Sequence, residues 1–295
     1  MRFGIVVTDP SDWTARAIAS GLERQGAEAA LLDFSQLSAL VGPGLRLEAD
    51  GTDLLGLDGL VVRDLGRRGS SDVAFRFEAL SAVEVAGIPV VNPPSAILRA
   101  ANKFATSLAL QGAGVPQPET LAATSLSAAE EFVARHRRAV YKPLFGFKGR
   151  GLLLLTAEDP SPLEDLMEKS GVVYLQEFLE STAPRPRDIR AFVVDGKVAG
   201  AIYRVAPPGS WISNLARGGA PKRCPLTCEI EDLALRAAAA VGTVYSGVDL
   251  LETSGGLAVL EVNGTPSGWG VHQAWGIDVG EMIASAALRI AEGSI

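Results

Sequence analysis

The sequence predicts a mixed α/β protein: an N-terminal parallel α/β domain followed by a region of helices and antiparallel strands. Strand and helix patterns alternate over roughly the first 95 residues, as in a parallel sheet covered by helices. Later apolar segments are separated by Asp-Gly and Ser-Gly-Gly turn signals, which predict antiparallel hairpins. The sequence Asn92-Pro93-Pro94-Ser95 breaks the chain between these regions. We expect domains at residues 1–93, 94–180 and 181–295.

The N-terminal domain is predicted from short β-branched runs and from helical spacing between them. Asp12 precedes the first helical pattern and is a candidate N-cap, and Gly26 ends that pattern. The expected strands are Phe3–Thr8, Ala29–Asp33, Gly59–Arg63 and Ile88–Val91, and the expected helices are Trp13–Gln25 and Phe75–Ala86.

The remaining elements are predicted in the same way. One helix is expected over Ser95–Gln111, and another over Ser127–Arg137 with Ser127 as its cap and Glu130 as the capping-box partner. Further helices are expected over Ile230–Val241 and Val279–Ala291. The expected strands are Ala139–Lys142, Leu152–Leu155, Val172–Glu177, Ile189–Val194, Val198–Val205, Val248–Leu251 and Leu257–Val262.

Composition and charge exclude several classes of function. Hydrophobic residues make up 47% and charged residues 21% of the chain, a normal globular balance. The net charge of -7 argues against nucleic acid as a partner, because phosphate backbones attract clustered Lys and Arg. No apolar run approaches the ~20 residues of a membrane span, and the N-terminus lacks a signal-peptide pattern. We expect a cytoplasmic protein whose two cysteines, Cys224 and Cys228, are reduced thiols.

The first cluster of candidate functional residues follows a predicted strand end. Lys142 is followed by Gly146, Gly149 and Gly151. Glycine permits positive φ and close backbone approach, so amide groups can point at phosphate oxygens, and Lys142 adds a point charge. The lysine precedes the glycines, which is the reverse of a P-loop. Taken alone, a plain hairpin turn explains the segment equally well.

The second cluster lies on a predicted hairpin near the C-terminus. Glu261 and Asn263 are two residues apart on one strand and therefore face the same side, and Asp249 lies on the preceding strand. Two carboxylates and an amide oxygen are the ligands that a hard cation such as Mg²⁺ prefers. The alternative is a solvated strand face with incidental acids.

The third cluster lies between the other two along the chain. Asp188 and Arg190 open a strand, Arg204 ends the next one, and Asn214 and Arg217 precede a Gly-Gly pair. Arginines at strand ends beside such a loop suit binding of phosphate or carboxylate. For any single arginine, a surface salt bridge is the alternative.

In their order along the chain, these motifs resemble those of the ATP-grasp family, and they are closest to its RimK-type amino-acid ligases. The resemblance covers about residues 93–266 and implies a Rossmann-like pre-ATP-grasp domain and two α+β lobes that clamp ATP. The matching segments are Asn102-Lys103, Lys142-Pro143 with its glycine loop, Gln176-Glu177-Phe178, Asp188-Ile189-Arg190, Arg204, Ser213-Asn214 with Arg217-Gly218-Gly219, Gly247-Val248-Asp249 and Glu261-Val262-Asn263.

The resemblance also implies the ligands and the role of each residue. ATP would be bound together with Mg²⁺ or Mn²⁺. Arg204 and Arg217 would be catalytic, holding the acyl phosphate or the acceptor. Nucleotide binding would involve Lys103, Lys142, Gly146, Gly149, Gly151, Glu177, Phe178, Asp188 for the ribose and Asn214 for the phosphates, and the metal would be held by Asp249, Glu261 and Asn263.

The implied activity is an ATP-dependent carboxylate–amine ligase that works through an acyl phosphate. Residues 264–279 are similar to ligases that add L-glutamate to a pterin or furan C1-carrier coenzyme, such as the tetrahydromethanopterin glutamate ligases. There Trp269, Trp275 and His272 either line an acceptor pocket or form a packed core. The alternatives are glutamate transfer to a protein or carrier-protein C-terminus, and a catalytically silent ATP-binding regulator. The expected partners are a small carboxylate and an amine, L-glutamate first, with no nucleic acid and no membrane, in a homo-oligomer.

Overall fold

The computed structural model describes residues 1–66, 70–146, 150–214, 218 and 220–293. The N-terminal part contains a parallel sheet with strand order β2-β1-β6-β7 and a small antiparallel sheet β3-β4-β5. In chain order its elements are β1 (Arg2–Val7), α1 (Trp13–Arg24), β2 (Glu28–Asp33), β3 (Leu37–Val41), β4 (Leu45–Ala49), β5 (Thr52–Asp53), β6 (Gly59–Val62), α2 (Ser70–Val85) and β7 (Val90–Val91).

The predicted parallel α/β region is confirmed, and the two central strands of its sheet are largely buried. Strands β1 and β6 are buried along almost their whole length, as expected where helices cover both faces of a parallel sheet. The side chain of Asp12 accepts a hydrogen bond of 2.7 Å from the backbone N–H of Ala15, which confirms the predicted cap of α1. The sheet β3-β4-β5 has no counterpart among the predicted elements.

The central part forms an antiparallel sheet with order β10-β9-β11-β8. Its elements are α3 (Pro94–Ala101), α4 (Lys103–Gly112), β8 (Thr120–Ala123), α5 (Leu126–His136), β9 (Arg138–Lys142), β10 (Leu153–Thr156), α6 (Pro162–Ser170) and β11 (Val173–Glu177). The predicted hairpin around the glycine-rich turn is confirmed, because β9 and β10 pair antiparallel.

Two predictions about helix ends in this part are wrong. The single helix expected over Ser95–Gln111 is two helices that meet at Asn102, whose extended backbone ends α3 and whose side chain caps α4 by accepting from Ala105 N–H. The cap of α5 is Ser125, not Ser127, because the Ser125 hydroxyl accepts from the N–H of Ala128. Ser127 lies inside the first turn of the helix.

The C-terminal part contains a five-stranded antiparallel sheet with order β14-β13-β12-β15-β16. Its elements are β12 (Arg187–Val194), β13 (Lys197–Val205), β14 (Ala220–Cys224), α7 (Cys228–Val241), β15 (Tyr245–Thr253), β16 (Gly256–Asn263), α8 (Trp269–Trp275) and α9 (Val279–Ala291). Asp195 and Gly196 both have positive φ, which confirms the predicted turn between β12 and β13.

Both faces of this sheet are covered. Ile189, Ala191 and Val193 pack with the buried face of α7, whereas the alternate residues Phe192 and Val194 pack into a core shared with α1 and α9. The last helix therefore ties the C-terminal sheet to the N-terminal part. The domain boundaries at 93 and 180 stay a prediction. Within the described ranges, no helix is both long enough and apolar enough to cross a lipid bilayer.

Candidate functional site

A cleft of about 290 Å³ lies between the central sheet and the five-stranded sheet. Gly151 lies beside it, and Asn263 is adjacent through its contact with Asp249. Two predicted site residues, Gly149 and Arg217, lie outside the described residues. The structure brings the other predicted site residues together as lining of this cleft: Lys103, Lys142, Gly146, Glu177, Phe178, Asp188, Arg204, Asn214, Asp249 and Glu261.

The predicted metal ligands lie on one hairpin because β15 and β16 pair antiparallel. Asp249 lies opposite Glu261, and Asn263 lies opposite Gly247. The Asn263 amide nitrogen donates to the Gly247 carbonyl at 3.2 Å and lies 3.5 Å from Oδ2 of Asp249. This orientation directs the amide oxygen away from Gly247. The donor atoms at this end of the cleft are carboxylate and amide oxygens, which fit a hard cation.

Two arginines contact Asp249, Arg190 from the adjacent strand β12 and Arg204 from β13, one strand further away. Arg190 forms a bidentate ion pair with the two carboxylate oxygens of Asp249. Arg204 Nη2 lies 2.8 Å from Oδ2 of the same carboxylate. Burial alone would raise the pKa of Asp249, but the charges of the two arginines outweigh it and lower that pKa to about 2. Asp249 is therefore charged throughout the physiological pH range.

The structure shows the surroundings of Asp188 in detail. Arg204 donates from Nε and Nη2 to its two carboxylate oxygens at 2.6 and 2.5 Å, and Ser213 Oγ donates at 2.6 Å. Asp188 and Arg204 are both more than 90% buried. Burial opposes the charge of Arg204, yet Asp249 and Asp188 together raise its pKa. Ribose binding by Asp188 and acyl-phosphate binding by Arg204 stay predictions.

Two lysines face the same end of the cleft. Lys103 is buried near the start of α4, where its Nζ lies 2.7 Å from Oε1 of Glu261 and 3.2 Å from the Gly146 carbonyl oxygen. Lys142 ends β9, and burial together with the nearby Lys103 charge lowers its pKa to about 8 despite the opposing effect of Glu261. Ammonium groups beside carboxylates provide contacts for phosphate and for a cation in one space.

Described residues on either side of the glycine-rich turn, among them Pro143, Gly146 and Leu152, line the cleft. Gly151 has a φ of +72°, and a Cβ there would lie 2.8 Å from Pro143 Cγ, so a side chain at this position would be both strained and crowded. A Cβ at Gly146 would lie 3.2 Å from the Pro143 Cβ. These contacts explain two of the glycines by local geometry, and phosphate binding by them stays a prediction.

Two aromatic side chains, of Phe178 and Trp211, line another part of the cleft. The Phe178 ring lies under the Arg138 guanidinium, whose Cζ is 4.0 Å from the ring centroid, and it contacts Trp211 edge-on at 5.9 Å. Glu177 is fixed by hydrogen bonds with the backbone of Glu119. A planar base fits such a surface. Arg138 and Trp211 were not predicted, because they meet Phe178 only through strand pairing and through the loop after β13.

The three aromatic residues predicted near the C-terminus do not form one pocket. Trp275 donates its indole N–H to the Ala201 carbonyl at 2.7 Å and stacks under Arg223. Trp269 and His272 lie together with Trp13 of the first helix. The sequence gives no spacing signal for Trp13, because it is distant in the chain from both.

Comparison with known proteins agrees with this geometry. The model of the RimK-like ATP-grasp domain matches residues 100–287. The chain is 41% identical to the tetrahydromethanopterin:alpha-L-glutamate ligase of Methanosarcina acetivorans, over 96% of this chain and 97% of the relative. It is 33% identical to the enzyme of the same name from Methanococcus maripaludis, over 99% of each chain.

The solved structures show the same fold. The ATP-grasp ligase PsnB, complexed with a phosphomimetic variant of its minimal precursor, Mg and ADP, superposes with a TM-score of 0.75 over 98% of each chain, at 22% identity. The predicted ATP-grasp architecture is thereby confirmed. The chain belongs to the RimK-like ATP-grasp family of ligases.

Proposed function

We propose that this protein is an ATP-dependent ligase that adds L-glutamate to a pterin C1-carrier coenzyme or its precursor. The observation that carries the proposal is the 41% identity to a tetrahydromethanopterin:alpha-L-glutamate ligase, which extends over 96% of the chain. The similarity thus includes the N-terminal part and the C-terminal residues as well as the cleft.

The phosphate end of the cleft fits a divalent cation. Asp249, Glu261 and Asn263 would hold Mg²⁺, or Mn²⁺ in its place, through oxygen atoms on one face of the β15–β16 hairpin. When bound, the ion would neutralise charge on the phosphates of ATP. The fit rests on the donor set of carboxylate and amide groups.

The remaining cleft residues would bind and orient the nucleotide. Lys103 and Lys142 would contact the phosphates as point charges, and Asn214 lines the same region. Phe178 and Trp211 would border the adenine, and backbone groups near Glu177 would form hydrogen bonds with its edge. Arg217 and Gly149 keep the roles that the family resemblance implies.

The chemistry of such a ligase requires no protein nucleophile. The carboxylate of the acceptor attacks the γ-phosphorus of ATP, forming an acyl phosphate while ADP leaves. The amine of L-glutamate then attacks the acyl carbon, the C–N bond forms, and phosphate leaves with loss of one amine proton. Arg204 is buried and held by Asp188, and in this proposal it would supply a fixed positive charge beside the reacting groups. Enclosure of the cleft would exclude water, which hydrolyses acyl phosphates.

The test is a turnover assay with the purified protein, ATP, Mg²⁺, L-glutamate and tetrahydromethanopterin. We expect ADP release that depends on both substrates, and a pterin product heavier by one glutamyl residue or several. Glutamylation of a peptide or carrier-protein C-terminus with no pterin product would favour the protein-modifying alternative. Nucleotide binding without turnover across both acceptor classes would favour a regulator. A cytoplasmic location and a homo-oligomeric assembly stay predictions.

A further inference from the structure

A cluster of three aromatic rings lies where the first helix meets the C-terminal part of the chain. Trp13 is the first residue of α1, Trp269 is the first residue of α8, and His272 follows it by about one turn. The ring centroids are 5.1 Å apart for Trp13 and Trp269, 4.8 Å for Trp13 and His272, and 5.9 Å for Trp269 and His272. Each ring therefore contacts both of the others.

Trp269 is the exposed member of this cluster. Its exposed fraction is 42%, although tryptophan is normally among the most buried residues on average. The other two rings are partly buried behind it. Trp275, in contrast, uses its indole N–H and its ring face within the protein. The indole of Trp269, which packs against Trp13 and His272, is thus exposed to solvent.

The position of Trp269 is fixed by the residue before it. The Gly268 N–H donates to Thr14 Oγ1 at 3.1 Å, and a Cβ at Gly268 would lie 2.0 Å from Val279 Cγ2 and 3.6 Å from the Trp13 ring. A side chain at position 268 would clash with Val279 and displace the start of α8. Glycine at this position therefore allows α8 to pack closely against α9, with Trp269 in contact with the Trp13 ring.

The same segment connects Trp269 to the candidate metal ligands. Trp269 follows Asn263 by six residues, a stretch that spans at most about 20 Å when fully extended. Within it, Pro266 lies against Gly247, where a Cβ would be 3.0 Å from the Pro266 Cβ. A molecule with a flat ring at one end and a carboxylate about 20 Å away at the other is long enough to span that distance.

We propose that Trp269, supported by Trp13 and His272, is the surface on which the flat heteroaromatic ring of the acceptor stacks. The inference rests on the proposed function and names the part of the molecule that recognises the acceptor. An indole face binds planar, polar ring systems in offset stacks. Because Trp13 and His272 already fix the Trp269 ring, it need not change conformation when the acceptor binds. Loss of one aromatic stacking partner of a nucleobase-like ring lowers affinity by about 5- to 150-fold.

The test compares Trp269→Ala and Trp269→Phe with the wild type, using tetrahydromethanopterin as the acceptor. We expect Trp269→Ala to raise the KM for the acceptor by at least about fivefold. The KM values for ATP and L-glutamate and the melting temperature should stay near those of the wild type. Trp269→Phe should restore most of the acceptor affinity, because it keeps a ring. Phe75→Ala is the matched control, because Phe75 on α2 is exposed to 41% and lies outside the cluster; it should leave all KM values unchanged.

Two outcomes would overturn the inference. An unchanged acceptor KM in Trp269→Ala would show that the ring does not touch the acceptor. A uniform rise in all three KM values with a lower melting temperature would show that the ring only packs. The activity of the wild type towards the pterin distinguishes failure of this inference from failure of the proposed function. A wild type that glutamylates no pterin refutes both, whereas an active wild type with an unaffected Trp269→Ala refutes this inference alone.

Discussion

Replacement of Arg204 by methionine tests the buried charge network at the centre of the cleft. Methionine keeps an unbranched apolar stem but removes the guanidinium and its contacts to Asp188 at 2.5 and 2.6 Å and to Asp249 at 2.8 Å. Asp188 would keep only the Ser213 hydroxyl from this network, and Asp249 would keep Arg190. Because breaking a buried ion pair costs about 3–5 kcal/mol, we expect the free energy of unfolding to fall by that amount.

Thermal unfolding measures this loss. For a chain of this length, about 3–5 kcal/mol corresponds to a melting temperature lower by about 5–8 °C. The difference from wild type should narrow as pH falls from about 4 to about 2. The pKa of Asp249 is lowered from 3.8 to about 2 in the folded protein. The stability that its charge contributes is therefore fully present above pH 3.8 and is lost as the pH falls through about 2. Arg135→Met, which removes an exposed pair with Glu119, should change stability by less than ~1 kcal/mol. If Arg204→Met melts no lower than this control, the network does not stabilise the fold as argued.

The remaining predictions concern two other residues of the cleft, Lys142 and Glu261, and Gly247 beside it. ATP affinity, measured by calorimetry, should weaken by about tenfold as pH rises through about 8, because Lys142, with its pKa lowered by burial, loses its charge; Lys142→Arg should remove this dependence. Glu261→Gln should lower kcat in the coupled ADP assay by about 100-fold or more, with little change in melting temperature, because the carboxamide can still accept from Lys103. Gly247→Ala should lower both stability, by about 1–3 kcal/mol in urea unfolding, and turnover, because its Cβ would lie 2.8 Å from Arg190 Cδ.

The sequence predicts the parts of the cleft that depend on local pattern. The spacing of Glu261 and Asn263 places both on one face of a strand, and the Gly-rich turn before them places Asp249 opposite, as the pairing of β15 with β16 confirms. Long elements with a clear apolar period, such as α9 and β13, are found where the pattern places them. In each case the signal lies within one element or one hairpin.

Contacts between distant elements leave no such signal. β12 lies between β13 and β15, and this order brings Arg190 and Arg204 onto Asp249. Each of these arginines taken alone is equally consistent with a surface salt bridge. The break at Asn102 is missed for a different reason. Its side chain offers a local cap that competes with continuation of the helix, and the helical period continues across the break.

The charge balance of the cleft bears on how the candidate metal site would be filled. Three carboxylates, of Asp188, Asp249 and Glu261, face four cationic groups, of Lys103, Lys142, Arg190 and Arg204. Among these seven groups there is an excess of one positive charge, and Asp249 is already paired with two guanidinium groups. At this end of the cleft a divalent cation entering alone would therefore meet repulsion, whereas phosphates would be attracted. We predict that a cation binds to Asp249 and Glu261 only together with the phosphates of a nucleotide.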